Sequence, residues 1–316
     1  MNLSTPAADP ALERAQAQVT ASLSESAQRP VVHGFFDEPT HTATFVVHDS
    51  RSREAAVIDS VLDFDPASGS ISYEAADQVI DYVHAENLTV AWILETHVHA
   101  DHLSAAPYLQ GKLGGSLAIG GGIVAVQDTF GKLFNAGTAF ARTGAAFDRL
   151  FEDGDRFTLG GIKASVLHVP GHTPADLAYI IGDAAFVGDT LFMPDYGTAR
   201  ADFPGGDARL LFRSIRRLLA LPNVTRLFLC HDYKAPGRDS FVTETTVAAQ
   251  RRDNVHVRDG TAEDNFVAMR EARDRTLAAP RLIMPSIQVN MRGGRLPEPE
   301  ANGTRYLKIP LTTGRG

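Results

Sequence analysis

A short run rich in histidine constrains this chain of 316 residues more than any other feature. The spacing His-x-His-x-Asp-His brings four metal-ligand side chains together within residues 97–102, namely His97, His99, Asp101 and His102. The apolar residues 90–94 before the run predict a strand, so the run begins where a strand ends. Imidazoles combined with carboxylates suit zinc, iron or manganese, whereas an all-oxygen set would favour magnesium or calcium. The run therefore predicts a metal centre at a strand end.

Three further candidate ligands each come shortly after a predicted strand in the second half of the chain: His172, Asp189 and His231. Taken alone, each has an ordinary interpretation, respectively a loop histidine, a helix N-cap and a packed histidine. Their repeated placement after strands favours a single site that they share with the histidine-rich run.

Apolar periodicity divides the chain into two similar halves. Strands are predicted at 31–36, 44–48, 55–58, 90–94, 163–169, 177–181, 185–187 and 226–229. Helices are predicted at 73–86, 208–221, 244–252 and 263–277. Two β-rich halves with helices outside them indicate an α/β protein built as a four-layer αββα sandwich. The pattern alone leaves another α/β arrangement open.

The chain is predicted to consist of three parts. Residues 1–30 are expected to form an N-terminal helix or arm, and residues 31–235 the catalytic domain. Residues 236–316 are expected to form a helical extension and a tail, rich in proline and glycine after residue 280, that pack on the same domain.

The composition excludes several functional classes. Hydrophobic residues make up 44% and charged residues 22%, which is typical of a globular protein. A net charge of −8 offers no basic surface for nucleic acid, so we expect a small-molecule substrate. The first 30 residues lack the features of a secretory signal, and no stretch approaches the roughly 20 apolar residues that span a bilayer. We therefore expect a cytoplasmic protein without a membrane partner.

The single cysteine, Cys230, allows no internal disulfide and gives no sign of a structural thiolate zinc site. A small core residue at a strand end is a more ordinary role for it than a sulfur-carrying nucleophile.

The ligand types, in this order, resemble the metallo-β-lactamase superfamily over about residues 31–235. Within that superfamily the sequence is most similar to the persulfide dioxygenases, through four runs: Thr-His-Val-His-Ala-Asp-His at 96–102, Gly-Asp-Thr-Leu-Phe at 188–192, Gly-Thr-Ala-Arg-Ala-Asp-Phe at 197–203 and His-Asp-Tyr at 231–233. The tail runs at 296–300 and 306–310 resemble the C-terminus of bacterial members linked to sulfide detoxification.

The resemblance implies that O2 oxidises a low-molecular-weight persulfide, typically glutathione persulfide, to sulfite and the thiol at one Fe(II) per chain. It implies that His97, His172 and Asp189 bind the iron. Two histidines and one carboxylate on one face leave about three coordination positions open, as in non-haem Fe(II) oxygenases.

Two roles are open for the other members of the motif, His99, Asp101, His102 and His231. In the dioxygenase they orient the ligands and tune the iron through hydrogen bonds. In the main alternative, a glyoxalase-II-like thioesterase acting on acyl-glutathione, they help to hold two zinc ions. The neighbouring runs, especially 197–203, favour the dioxygenase. A binding module without catalysis is a third hypothesis, disfavoured by the complete ligand set.

Three residues are candidate substrate contacts. Tyr233 follows His231 directly and also counts among the candidate catalytic residues. Arg200 carries a guanidinium that can clamp a carboxylate. In glutathione-using relatives an arginine after the corresponding helix holds a glutathione carboxylate, and His256 stands at that place here. Arg251 and Arg252 lie about one turn earlier and can both replace that arginine, and we expect Arg252 to do so. The oligomeric state stays open and includes a homodimer.

Overall fold

The computed structural model describes residues 8–311. Residues 1–7 of the predicted N-terminal arm and residues 312–316 of the predicted tail lie outside the described residues.

The first half of the described chain contains, in order, α1 (Pro10–Ser24), β1 (Val31–Asp37), β2 (Thr42–His48), β3 (Glu54–Ile58), β4 (Val61–Asp65), β5 (Ser70–Ser72), α2 (Glu74–Ala85), β6 (Thr89–Leu94), β7 (Leu103–Ser104), α3 (Ala106–Leu113), β8 (Ser116–Gly120), α4 (Ile123–Leu133) and β9 (Arg149–Phe151). The second half contains β10 (Arg156–Leu159), β11 (Ile162–His168), β12 (Leu177–Ile181), β13 (Ala184–Phe186), α5 (Ala208–Leu218), β14 (Arg226–Phe228), β15 (Glu244–Thr246), α6 (Val247–Asp253), α7 (Glu263–Asp274) and α8 (Ile283–Asn290). Short 3-10 turns lie at Ser26–Gln28 and Gly188–Thr190.

Two six-stranded sheets form the centre of the fold. Their strand orders are β1-β2-β3-β6-β8-β9 and β10-β11-β12-β13-β14-β15. The inner faces meet in one apolar layer, to which the first sheet contributes Phe45 and Leu94 and the second contributes Tyr179 and Phe186. Burial of this layer from both sides fixes which face of each strand points inward, because side chains alternate across a strand.

Helices cover the outer face of each sheet. Apolar residues of α2, α3 and α4, such as Val79, Leu109 and Val126, share a buried cluster with the first sheet. Residues of α1 and α5, such as Val19 and Leu211, share another cluster with the second sheet, and α7 packs on α5. The result is the predicted αββα four-layer sandwich.

A third, small sheet has the order β5-β4-β7. Strand β7 starts directly after the histidine-rich run and pairs with β4 through Val61 and Ser104. The end of the run is thereby tied to the body of the domain.

The predicted helix at 244–252 is wrong at its start. Residues Glu244–Thr246 form β15, which pairs with β14, and only then does α6 begin. Thr245 and Thr246 are β-branched residues that favour a strand, and the Thr246 hydroxyl caps α6 by accepting a hydrogen bond from the Ala249 amide at 3.1 Å.

The tail after residue 280 contains a helix that the sequence pattern did not predict. Pro285 lies in the first turn of α8, where the backbone N–H has no helical partner in any case. The helices α3 and α4 were likewise not predicted. Within residues 8–311 no helix could cross a membrane, and the longest, α1, has 15 residues.

Candidate metal centre

The predicted ligands meet where strands of both sheets end. The histidine-rich run, residues 97–102, follows β6 of the first sheet, and the other ligands follow β11, β13 and β14 of the second. The site therefore straddles one edge of the sandwich. The structure brings together the three predicted iron ligands and the four other members of the motif, in two clusters.

The first cluster consists of His97, His172 and Asp189, whose candidate ligand atoms lie within 4.8 Å of one another. Asp189 Oδ2 lies 3.5 Å from His172 Nε2 and 3.9 Å from His97 Nε2. All three side chains are buried.

The second cluster consists of His99, Asp101, His102 and His231, again with ligand atoms within 4.8 Å of one another. Asp101 Oδ2 lies 3.1 Å from His231 Nε2 and 3.6 Å from His102 Nδ1. Asp189 Oδ1 lies 3.3 Å from His231 Nε2, so that Asp189 stands between the two clusters.

Two glycines allow this approach. Gly188 has φ of +52°, and a Cβ there would lie 2.6 Å from Thr96 Oγ1. Gly171 has φ of +141°, and a Cβ there would lie 2.3 Å from the backbone of Leu211 in α5. Any side chain at either position would displace the strand end that carries a ligand.

Hydrogen bonds determine which nitrogen of His97 faces the cluster. Thr96 Oγ1 donates its proton to Asp59 Oδ2 at 2.9 Å and lies 3.0 Å from His97 Nδ1. Because that hydroxyl has only one proton, His97 Nδ1–H must donate to Thr96 Oγ1. The lone pair of His97 Nε2 then points into the first cluster.

The same arrangement orients two more imidazoles. His172 Nδ1 donates to the Arg200 carbonyl oxygen at 2.8 Å, and His231 Nδ1 donates to the His41 carbonyl oxygen at 3.1 Å. A carbonyl can only accept, so each Nε2 faces a cluster. Such oxygen partners behind an imidazole are typical of metal-binding histidines.

Several buried donor atoms in the clusters have no hydrogen-bond partner: His97 Nε2, His99 Nδ1, Asp101 Oδ2, His102 Nε2, Asp189 Oδ1 and His231 Nε2. A buried polar atom left without a hydrogen bond costs about 1–3 kcal/mol of stability. Six such nitrogen and oxygen atoms in one place therefore fit a bound cation. The residues present therefore fit a metal centre.

Burial and neighbouring charges set the protonation of the histidines. Burial, with neighbouring His99 and His172, holds the pKa of His97 well below its usual value, so His97 is neutral and able to bind metal. Burial would also lower the pKa of His231, but the carboxylates of Asp101 and Asp189 raise it well above its usual value. The space between those carboxylates thus attracts positive charge, either a proton on His231 or a metal ion.

The Nε2 of His99 points away from the clusters and is held by two carboxylates. Its Nε2 donates to Asp59 Oδ1 at 3.0 Å and lies 3.3 Å from Glu95 Oε2. Burial would lower the pKa of His99, but Asp59 raises it well above its usual value. The contact with Asp59, which also binds Thr96, links the orientations of His97 and His99.

Asn290, the last residue of α8, fixes the backbone of the histidine-rich run. Its Nδ2 donates to the carbonyl oxygens of His99 at 2.9 Å and His102 at 2.8 Å, while its Oδ1 accepts from the Ser104 amide at 2.8 Å. No sequence signal pointed to this residue, because it lies far along the chain in a helix that was not predicted.

Helix α7 supports the opposite side of the site through Arg270 and Asp274. Arg270 Nε donates to Asp274 Oδ1 at 2.9 Å, and Arg270 Nη1 donates to the Thr198 carbonyl at 3.1 Å. Asp274 Oδ2 accepts from the Ala201 amide at 2.9 Å. This buried pair fixes the loop whose Arg200 carbonyl orients His172.

A cavity of about 350 Å³ opens onto the first cluster and reaches His172 and Asp189. Its lining includes the apolar and aromatic residues Phe192, Tyr196, Tyr233 and Leu277. It also includes four arginines: Arg200, Arg270, Arg273 and Arg281. The cavity therefore suits a small anionic molecule that carries an apolar part.

The predicted substrate contacts fall at different places. Tyr233 lines the cavity and stacks on His231, with ring centroids 5.6 Å apart. Arg200 lines it too, but its guanidinium is bound to Asp202 and to a backbone carbonyl. Arg252 is absent from the cavity lining and lies on the surface, paired with Asp253 at 2.6 Å.

His256 supports a loop. Its Nδ1 accepts a hydrogen bond from the Thr198 amide at 3.1 Å. Burial, with the nearby Arg270 and Arg273, lowers the pKa of His256 to about 4, so the ring is neutral at physiological pH. It belongs to the support of loop 197–203 and is absent from the cavity lining.

Residues 37–231 match the family model of the Metallo-beta-lactamase superfamily. The chain belongs to this superfamily. It is 59% identical to a probable metallo-hydrolase of Burkholderia pseudomallei over 89% of this chain and 98% of that protein. It is 46% identical to glyoxylase B2 of Dictyostelium discoideum over 85% of this chain and 93% of that protein.

The chain is also similar, at lower identity, to ETHE1 proteins. The chain is 28% identical to the human mitochondrial persulfide dioxygenase ETHE1, over 82% of this chain and 87% of that protein. The crystal structure of ETHE1 from Myxococcus xanthus superposes with a TM-score of 0.67 at 28% identity, covering 84% of this chain and all of that one.

Replacing Asn290 by leucine should weaken metal binding by about 10- to 100-fold, because the carbonyls of His99 and His102 lose their donor and the run loses its fixed geometry. Competition with a chelator measures the affinity, and far-UV circular dichroism checks the fold. The matched control is Asn302→Leu, since Asn302 is exposed and bonds only to Tyr306 and the local backbone. Equal affinities in the two variants would contradict this role.

Proposed function

We propose that the protein is an iron-dependent persulfide dioxygenase whose substrate is a low-molecular-weight persulfide, with glutathione persulfide as the main candidate. The main support for this proposal is the first cluster, in which two imidazoles and one carboxylate converge beside the cavity. This ligand set is typical of non-haem Fe(II) oxygenases. The similarity to ETHE1 supports the same assignment.

In the proposed reaction the S–S bond of the persulfide breaks, and the inner sulfur leaves as the thiol. The outer sulfur acquires both oxygen atoms of O2 and one from water, giving sulfite and two protons. Iron held by His97, His172 and Asp189 would supply open positions at which O2 and the sulfur meet. The protein itself holds the ligands in place and provides the walls that orient the substrate.

The second cluster has a positioning role in this proposal. His231, protonated between two carboxylates, lies 3.3 Å from Asp189 Oδ1 and 3.1 Å from Asp101 Oδ2. The positive charge of His231 thereby compensates the negative charge on Asp189 Oδ1, the oxygen that faces away from the first cluster. Asp101 also lines the cavity. Burial would raise the pKa of Asp101, but His231 and His102 hold it well below its usual value, so Asp101 remains an anionic partner of His231.

A second candidate function is a glyoxalase-II-like thioesterase with two zinc ions that hydrolyses acyl-glutathione. The observation that favours it is His102 Nε2, a buried nitrogen of the second cluster that has no hydrogen-bond partner and that a proton on His231 does not satisfy. The names of the relatives at 59% and 46% identity support hydrolysis as well.

The arginines of the cavity lining suggest how the thiol carrier is recognised. Arg200 and Arg270 are already paired with Asp202 and Asp274. Arg273 has no ion pair within residues 8–311, and its side chain is exposed at the cavity. We assign to Arg273 the contact with a substrate carboxylate that the sequence had suggested for Arg252, since a guanidinium binds carboxylates with geometric specificity.

Protein prepared without oxygen should contain about one iron per chain and should consume O2 when glutathione persulfide is added, with sulfite as product. Elemental analysis and an oxygen electrode provide the measurements, and acyl-glutathione serves as the competing substrate. The proposal would be wrong if the protein contained two zinc ions per chain, hydrolysed the thioester rapidly and took up no oxygen. That result would identify the protein as the hydrolase.

Arg273→Ala should raise the KM for glutathione persulfide about tenfold with little change in kcat, because a charge-assisted contact to the non-reacting part of the substrate is lost. The matched control is Arg252→Ala, which removes an exposed arginine that does not line the cavity and should leave both constants unchanged. If the KM rose in the Arg252 variant alone, Arg252 and not Arg273 would be the contact with the substrate carboxylate.

A further inference from the structure

A second cavity, of about 500 Å³, lies between the loop after α4, the end of α8 and the C-terminal tail. Its lining shares no residue with the cavity beside the first cluster or with either cluster. Phe134, Phe140, Leu296 and Tyr306 contribute apolar and aromatic surface to it. A volume of this size is typical of small-molecule sites. The cavity is therefore a candidate binding site separate from the metal centre.

Arg292 lines this second cavity and has one hydrogen-bonding edge without a partner. Its guanidinium carbon lies 4.6 Å from the centre of the Phe140 ring, and its Nη1 donates to the Gln288 carbonyl oxygen. Within residues 8–311, its Nε and Nη2 have no acceptor. Because these two nitrogens lie on the same edge of the planar guanidinium, they can bind both oxygens of one carboxylate.

Other half-buried arginines of this chain pair with carboxylates. Arg217 uses the same edge to bind Asp9, with Nε donating to Oδ2 at 2.7 Å and Nη2 donating to Oδ1 at 2.8 Å. Arg238 likewise pairs with Asp195 at 2.8 Å. Arg292 has no ion pair in the described part of the chain, and burial lowers the pKa of its guanidinium. A desolvated cation without an anion is costly, so Arg292 favours a carboxylate from outside the chain.

The other charged residues of the lining determine how much negative charge a ligand can carry. Arg295 and Lys308 each donate to a backbone carbonyl oxygen, at 2.6 and 2.7 Å, and have no carboxylate partner within residues 8–311. Glu298 and Glu300 are the carboxylates of the lining. With Arg292 there are three cations against two anions, so a ligand with a single negative charge balances the cavity.

The wall formed by the tail is fixed before any ligand binds. Gln288 of α8 holds Lys308 through two hydrogen bonds: Gln288 Oε1 accepts from the Lys308 amide, and Gln288 Nε2 donates to the Lys308 carbonyl oxygen, both at 2.8 Å. A preformed wall lowers the entropy that a ligand must overcome on binding.

We propose that this cavity binds a small monocarboxylate with a flat apolar body, whose carboxylate is held by the Nε and Nη2 edge of Arg292. The apolar body contacts the aromatic and apolar lining, which includes Phe134, Leu296 and Tyr306. Ligands with two or more negative charges are disfavoured by Glu298 and Glu300. Because the two cavities share no residue, the occupant does not displace a substrate at the metal centre.

The test is a calorimetric titration of the full chain with cinnamate, a flat aromatic monocarboxylate. We expect a Kd on the order of 1 mM or tighter, and at least about tenfold weaker binding of cinnamamide, the neutral amide of the same shape. Arg292→Gln should weaken cinnamate binding at least about tenfold, because the bidentate contact is lost. Ala139→Trp changes an exposed residue of the lining, fills the cavity and should block binding while Arg292 is intact.

Arg273→Ala is the matched control, since Arg273 lines the cavity beside the first cluster and not this one. Its affinity for cinnamate should equal that of the unaltered protein, with circular dichroism confirming the fold of every variant. Cinnamate binding that is lost in Arg273→Ala but kept in Arg292→Gln would place the ligand at the metal centre and overturn the proposal. Equal affinity for cinnamamide, unchanged affinity in Ala139→Trp, or no binding at about ten times the expected Kd would overturn it as well.

Discussion

The carboxylate of Asp189 is the group on which the rest of the centre depends. One of its oxygens faces the imidazoles of the first cluster, and the other lies 3.3 Å from His231 Nε2. A carboxylate this deeply buried needs positive charge close by, because burial of an unpaired anion is costly. Whether that charge beside His231 is a proton or a second metal ion is the physical difference between the one-iron dioxygenase and the two-zinc hydrolase.

The geometry around Asp189 is maintained by residues distant in sequence. Asn290 in α8 holds the carbonyls of the histidine-rich run, and the pair of Arg270 and Asp274 in α7 holds the loop that orients His172. The C-terminal helices thus contribute directly to the metal centre. Because each contact is buried and hydrogen-bonded, the ligands are fixed before any metal binds, which lowers the cost of binding.

The sequence was sufficient to predict the sandwich and the seven clustered residues, because apolar periodicity reveals strands and each ligand comes shortly after one. Hydrogen-bond partners that are distant in sequence produce no periodic pattern, so the role of Asn290 could not be predicted. Arg252 was assigned to the substrate from its position along a helix, but α6 is followed by turns that bring α7 to the cavity instead, with Arg273 exposed there. The side chain of Arg252 stays on the surface, where it pairs with the adjacent Asp253.

The iron content of two variants distinguishes a direct ligand, Asp189, from a residue that only positions it, His231. Asp189→Asn replaces the only anionic ligand of the first cluster by a neutral amide of the same shape, and His231→Ala removes the imidazole behind it. After anaerobic preparation, and with circular dichroism confirming the fold, we expect almost no iron in the Asp189 variant and retention of most of the iron in the His231 variant. Equal loss of iron from both would contradict this distinction.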